Sequence, residues 1–266
     1  MNNEKQIDKQ QVRRHFSYYA REYDRYAVVQ KTVANRLAEF LGGHIQSSSR
    51  ALEIGCGTGL LSHQLLALQP DLQLVLSDLA HGMSQHVQQV LPQVPVCDAD
   101  AAALPFIADS FELVTSSSVF QWLNDLPNAF RQVSQVLVRN GLFALALFGE
   151  KTLYELRHSH QAALPEHVRS HVQRFPTLDE VSRAMEGRFE VLALRSEFEV
   201  EWHADVAGLL RSLKKIGAQN ASQHQPKGLA SRRVMQGMIS HYNQDYMCER
   251  GIPATYEVIY LLARRC

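Results

Sequence analysis

Glycines stand at alternate positions in Glu53-Ile54-Gly55-Cys56-Gly57-Thr58-Gly59, directly after a short apolar run from Arg50 to Ile54. Glycines so spaced remove the Cβ atoms that would keep a bulky ligand off the backbone. The run from Leu60 to Leu68 reads as a helix, and its N-terminus would point partial positive charge at the same ligand. A strand, this turn and that helix together make a cradle for a nucleoside. Asp78 ends the next apolar run, Leu74 to Ser77, with Leu79 beside it. A carboxylate there can accept hydrogen bonds from two vicinal ribose hydroxyls; it can equally cap the helix that follows. Met83 is placed either to pack on a base or to join the core of that helix. The glycine spacing does not fit a dinucleotide fingerprint, whose third glycine would fall on Leu60 or Ser62.

The elements that must position these residues alternate along the chain. Strands are predicted at 50–54, 73–77, 94–97, 112–117 and 142–148, and helices at 59–68, 82–91 and 125–138. The last of these helices starts at Asp125, a good cap residue, has Pro127 in its first turn, and meets Gly141 shortly beyond its end. Alternating units of this length imply an α/β, doubly wound, mostly parallel sheet, whose ligands bind at the carboxyl ends of the strands. Before it, residues 11–41 read as helical, with Val29, Val33, Leu37 and Phe40 on one face and Gly42-Gly43 as the stop. Five aromatic residues, Phe16, Tyr18, Tyr19, Tyr23 and Tyr26, crowd the entry to that segment. After Phe148 the rhythm changes. Residues 150–175 are polar and rich in His and Arg, 179–187 form a short helix, and 189–200 alternate as a strand. Residues 203–247 are mostly helical with a break at 220–228, and 256–262 form a last strand.

The 266 residues carry no net charge, so no overall field favours nucleic acid or an anionic membrane. Met1 to Gln11 is polar, without the apolar run of a signal peptide, and the longest apolar run, Leu142 to Phe148, is too short to cross a bilayer. Four dispersed cysteines without CxxC spacing suit reduced thiols and a cytoplasmic location. His158-x-His160 and His167-xxx-His171 have spacings open to a metal, but with no cysteine nearby they read as a solvent-facing segment, and no metal is expected.

The E-x-G-x-G-x-G turn resembles motif I of class I S-adenosylmethionine-dependent methyltransferases. Asp100-Ala101-Ala102-Ala103-Leu104-Pro105-Phe106 is similar to the D-A-x-x-L-P-F element of the same enzymes, and Asp109-Ser110-Phe111-Glu112-Leu113-Val114 running into Ser116-Ser117 to their fourth-strand element. The resemblance implies S-adenosylmethionine as cofactor. Its implied contacts are Glu53, Gly55, Cys56, Gly57 and Gly59 at the turn and Asp78, Leu79 and Met83 at the second strand. Asp100 would accept from the adenine amino group, with the Ala101 N–H on a ring nitrogen, and Ser116 and Ser117 would flank the methionine part. Asp98 competes with Asp100, though the spacing to Leu104-Pro105 favours the latter. Gln121-Trp122 would shape the pocket. Glu112 stands where the family usually has Asp.

One subfamily resembles nearly the whole chain: the malonyl-acyl-carrier-protein O-methyltransferases of biotin biosynthesis. The resemblance rests on Ile7-Asp8-Lys9 with Val12, Phe16 and Tyr23 to Ala27, on Phe148-Gly149 with Thr152 to Leu156, on Ser212 to Ala218, and on Thr255 to Tyr260. Lys151 departs from the glycine usual before Thr152-Leu153. The implied reaction is methyl transfer to the free carboxylate of malonyl-acyl carrier protein. A carboxylate is already ionised at neutral pH and needs no general base. Tyr18, Tyr19 and Tyr23 are candidates to exclude water and orient substrate. Arg157, Arg211, Lys214 and Lys215 are candidates to steer its carboxylate, and Arg211, Lys214, Lys215, Lys227, Arg232 and Arg233 to dock the acidic carrier. The expected organisation is a single methyltransferase domain over 1–266. It comprises an N-terminal helical cover (1–45), a cofactor-binding core (46–150), inserted lid segments (150–175 and 203–247) and final strands (189–200 and 254–264). Two alternatives remain: a methyltransferase for a small carboxylate or quinone precursor, and a cofactor-binding carrier-protein adaptor without turnover.

Overall fold

The computed structural model describes residues 7–45, 49–166, 168, 173–218 and 232–266. Three helices open the chain: α1 (Lys9–Tyr19), α2 (Tyr23–Tyr26) and α3 (Val28–Leu41). The single helical run expected over 11–41 is thus broken twice. The Asp8 side chain caps α1 by accepting from Gln10 and Gln11 N–H, and the backbone leaves helical geometry at Ala27 (φ −83°, ψ 51°). Then come β1 (Arg50–Ile54), α4 (Leu60–Leu68), β2 (Gln73–Asp78), α5 (His81–Val90), β3 (Val96–Asp98) and β4 (Phe111–Ser117). A single 3-10 turn (Phe120–Trp122) leads to α6 (Leu126–Val136) and β5 (Leu137–Phe148). The chain closes with α7 (Tyr154–Ala162), α8 (Leu178–Met185), β6 (Phe189–His203), α9 (Val206–Lys215), α10 (Arg232–Tyr246) and β7 (Ile252–Arg265).

The seven strands lie in the order β3-β2-β1-β4-β5-β7-β6. Pairings from β3 across to β5 are parallel, while β7 runs antiparallel between β5 and β6. The central strands are apolar because helices cover both faces. One face of the sheet packs Leu52, Val114, Phe143 and Leu145 against Phe130 and Val133 of α6; the other packs Ala51, Leu74 and Leu76 against Leu37, Leu61 and Leu65 of α3 and α4. At the open edge, β6 presents Glu190, Arg195 and Glu199, charges that discourage pairing with another chain.

Helix α6 is shorter than expected. The Asp125 side chain caps it by accepting from Asn128 N–H, but at Leu137 the backbone turns extended (ψ 144°) and begins β5. Asn140 takes a positive φ of 64° there, and a Cβ on Gly141 would lie 2.8 Å from the Val138 carbonyl oxygen, so this glycine serves a bulge in β5, where its register against β4 shifts. Helix α8 carries a capping box, with Thr177 and Glu180 each accepting from the other's backbone N–H. The strand order reverses between β1 and β4, and such a crevice is where sheets of this kind hold ligands.

Candidate active site

A cavity opens at the carboxyl ends of β1, β2 and β4. Its floor is the glycine turn. Gly55 and Cys56 N–H both donate to the Ser77 carbonyl oxygen (2.7 and 3.0 Å), and Gly57 N–H donates to Asp78 Oδ2 (2.9 Å). Gly55 and Gly57 take φ of +70° and +55°. A Cβ on Gly55 would sit 2.2 Å from Val119 Cγ2, whereas one on Gly57 would meet nothing within 4 Å. Gly55 is therefore required by packing, and Gly57 leaves open space in the cavity wall.

Asp78 bridges the floor to the second strand. Its Oδ1 accepts from Ala80 N–H at 2.7 Å. Burial pushes its carboxyl up to about 6, against the pull of those backbone N–H groups. Each oxygen still has a free lone pair for a ribose hydroxyl. Asp100 stands beside Ala101, accepts from Ala102 N–H through Oδ1 (2.9 Å), and pairs through Oδ2 with Lys9 Nζ (2.7 Å). Asp98, its competitor, faces His81 Nδ1 at 2.8 Å and lies outside the cavity lining. Leu79, Met83 and Ser117 line the wall as well.

The roof is α1 and α2. Lys9, Val12, Arg13, Phe16 and Tyr23 face the cavity, and Phe16 meets Trp122 edge-on, with ring centroids 5.6 Å apart. Four hydrogen-bonded points fasten this cover. Ile7 and Asn124 exchange two bonds, Ile7 N–H to Oδ1 (2.7 Å) and Nδ2 to the Ile7 carbonyl oxygen (2.9 Å). Lys9 holds Asp100, Gly82 N–H donates to Ser17 Oγ (3.2 Å), and Thr58 Oγ1 donates to Asp24 Oδ1 (2.5 Å). A Cβ on Gly82 would lie 2.5 Å from the Ser17 carbonyl oxygen, so α1 crosses α5 at a place only glycine permits.

The structure thus brings Gly55, Gly57, Asp78, Leu79, Met83, Asp100, Ala101, Ser117 and Tyr23 around one space, and sets the other expected residues elsewhere. Glu53 points the opposite way, as alternation along a strand requires, and accepts from Ser62 Oγ at 2.6 Å beneath α4. Cys56 and Gly59 pack behind the turn, and Ser116 Oγ donates to the Ile54 carbonyl oxygen (2.7 Å), fastening β4 to β1. Tyr18 is 81% exposed, because a residue two positions from Phe16 falls on the far face of α1. Arg211 and Lys214 lie on the outer face of α9, whose inner face is Val206, Leu209 and Leu213. Arg157 donates to the carbonyl oxygens of Glu150 and Thr152.

No described residue of 150–175 or 203–247 lines the cavity; they brace its cover instead. Gln173 Nε2 donates to the Gln121 carbonyl oxygen, and a Cβ on Gly217 would lie 3.2 Å from the Phe16 ring. His167, His171 and Lys227 lie outside the described residues.

Burial pushes the Glu53 carboxyl up to about 8, with Asp78 adding to the effect. An acid raised in this way binds more protons folded than unfolded, so its contribution makes stability fall as pH rises from about 4.5 to about 8. Glu53→Gln keeps the shape and the acceptor for Ser62 but removes the titration. The expected result is a shallower decline of Tm across that range, measured by thermal melts in matched buffers. A variant as steep as the native protein would show that the proton sits elsewhere.

With this geometry in view, comparison with known proteins is direct. A methyltransferase domain family matches residues 52–145. A malonyl-[acyl-carrier protein] O-methyltransferase of Geobacter sulfurreducens is 42% identical over 97% of this chain and 100% of its own length. The chain belongs to the malonyl-[acyl-carrier protein] O-methyltransferase family. A biotin biosynthesis bifunctional protein of Teredinibacter turnerae is 33% identical over 97% of this chain and 47% of its own length. Among solved structures, a putative methyltransferase from Bacillus halodurans superposes with a TM-score of 0.63 at 14% identity, covering 88% of this chain and 98% of that one. The sheet is the class I methyltransferase, Rossmann-like fold, mixed rather than strictly parallel. Within this family the match includes the α1–α2 cover as well as the glycine turn, since it spans the chain beyond the 52–145 core.

Proposed function

We propose that this chain methylates the free carboxylate of malonyl-acyl carrier protein, with S-adenosylmethionine as donor, giving the malonyl methyl ester that primes pimeloyl synthesis for biotin. The observation that carries the cofactor reading is the open space at Gly57 beside Asp78: a bare-backbone wall next to a carboxylate with lone pairs left for hydroxyl donors. The full-length relationship to malonyl-[acyl-carrier protein] O-methyltransferases supports the acceptor.

Bound there, the donor supplies an electrophilic methyl group on a positively charged sulfur. The protein's residues supply position and dryness. Gly55, Gly57 and Asp78 would hold the nucleoside, Asp100 and Ala101 its base, and Ser117 the far end. Phe16, Trp122 and Val12 close the space with apolar surface. Cation and carboxylate lose their charges on reacting, so a wall that excludes water favours the transition state over the solvated ions. The described residues lining the cavity include no histidine, and an ionised carboxylate needs no base. Tyr23 is held neutral by burial, with Asp24 and Asp78 adding to the effect, and so presents a hydroxyl that can donate to the acceptor.

The test is mass spectrometry of malonyl-acyl carrier protein after incubation with enzyme and S-adenosylmethionine. The expected product carries one additional methyl group and reverts on mild alkaline hydrolysis. Methylation of free small acids, with the carrier thioester untouched, would replace the acceptor. Cofactor binding without any product would leave an adaptor.

A further inference from the structure

The outward face of α1 carries a feature that the cavity does not use. Tyr18 stands 81% exposed, with Arg14 one turn before it on α1 and Arg21 in the turn that follows the helix. Arg14 and Arg21 are exposed and form no ion pair among the described residues. The nearby carboxylates are already engaged: Asp8 caps α1, Glu22 holds Lys215 Nζ at 2.5 Å, and Asp24 accepts from Thr58. The stretch from Ile7 to Tyr26 has five cations against three acids in a chain with no net charge, so positive charge is concentrated on this cover. An exposed tyrosine among unpaired arginines is the composition that dominates binding energy at protein interfaces.

We propose that this face is where an acidic carrier protein docks, Tyr18 packing on it and Arg14 and Arg21 meeting its carboxylates. The inference rests on the reading of the acceptor above. Position supports it, because the opposite face of the same helix, through Lys9, Val12 and Phe16, walls the cavity. A carrier seated on α1 has only to send its acyl arm around one helix, about 10–12 Å across, to reach the reacting space. Charge complementarity would steer the encounter and make it salt-dependent. The patch expected on Arg211, Lys214, Lys215, Lys227, Arg232 and Arg233 is less suited: Lys215 is spent on Glu22, Lys227 lies outside the described residues, and α10, which carries Arg232 and Arg233, packs against α7.

The experiment compares the native enzyme with Arg14→Glu/Arg21→Glu and with Tyr18→Ala. KM and kcat are measured for malonyl-acyl carrier protein and for malonyl-pantetheine, alongside S-adenosylhomocysteine affinity. The charge reversal is expected to raise KM for the carrier substrate about tenfold or more, with kcat, cofactor affinity and malonyl-pantetheine kinetics at native values. Tyr18→Ala is expected to raise the same KM. Unchanged KM in an active enzyme overturns the docking face alone, and so does an equal loss on both thioesters, which marks a structural role. A charge reversal that weakens binding to RNA or anionic vesicles while sparing carrier KM assigns the patch to those partners instead. A native enzyme that methylates neither thioester overturns the acceptor reading, and the docking face with it.

Discussion

Gly57→Val is expected to abolish S-adenosylhomocysteine binding while the protein still folds. The residue sits at φ +55°, where a side chain costs roughly 1–2 kcal/mol and a branched one somewhat more. That is a modest fraction of a typical stability of about 5–15 kcal/mol. No atom lies within 4 Å of the new Cβ, so the substitution collides with no part of the protein. Its methyl groups project instead into the space a nucleoside would fill. Calorimetric titration should show affinity down by about a hundredfold or more, equivalent to about 3 kcal/mol. Gly55→Ala is the informative contrast, because its Cβ meets Val119 Cγ2 at 2.2 Å. There the cost falls on folding, and Tm should drop by more than in Gly57→Val. Native affinity in the valine variant would remove the turn from the ligand site.

Asp78 gives the second large effect, and it depends on pH. Its carboxyl is pushed up to about 6, so the proton arrives within an accessible range. A ligand that donates two ribose hydroxyls prefers the ionised form. Affinity should be flat above about pH 7 and should fall by up to tenfold per unit below about pH 6. Asp78→Asn removes the titration. It also sets an NH₂ group against either Gly57 N–H or Ala80 N–H, each of which now finds an acceptor. The variant should bind weakly and show no pH dependence between about 5 and 7, read by the same titration in matched buffers. A native protein whose affinity ignores pH across that window would mean that Asp78 makes no contact with the ligand.

Much of the candidate site is legible in the sequence because its parts are local. Strand, bare turn and helix at 50–68 lie within one stretch, and Asp78 and Asp100 each follow a recognisable strand. The roof was harder. Phe16, Tyr18, Tyr19, Tyr23 and Tyr26 offer five rings in a short span, and only the helix phase set by Val12 and Phe16 says that Tyr18 must face out. The breaks at 20–22 and 27 reset that phase for Tyr23. The resemblance implies contacts at Glu53 and Ser116, because each falls within a motif at a strand end. The pleat turns one toward α4, and the other spends its hydroxyl on β1. Lys9 and Arg13 gave no pattern of their own; they reach the cavity because Gly82 lets α1 lie close on α5, a long-range approach that periodicity does not encode. The placement of β7 between β5 and β6 is likewise non-local, decided by the antiparallel pairing of two long strands separated by α9 and α10.

The paired hydrogen bonds between Ile7 and Asn124 tie the approach to α1 to the segment just after Trp122. A molecule beneath α1 is therefore shielded only for as long as that helix stays down. Were a nucleoside held there, as proposed above, its exchange and its protection would be two readings of one opening equilibrium, and the lifetime of that latch would cap turnover.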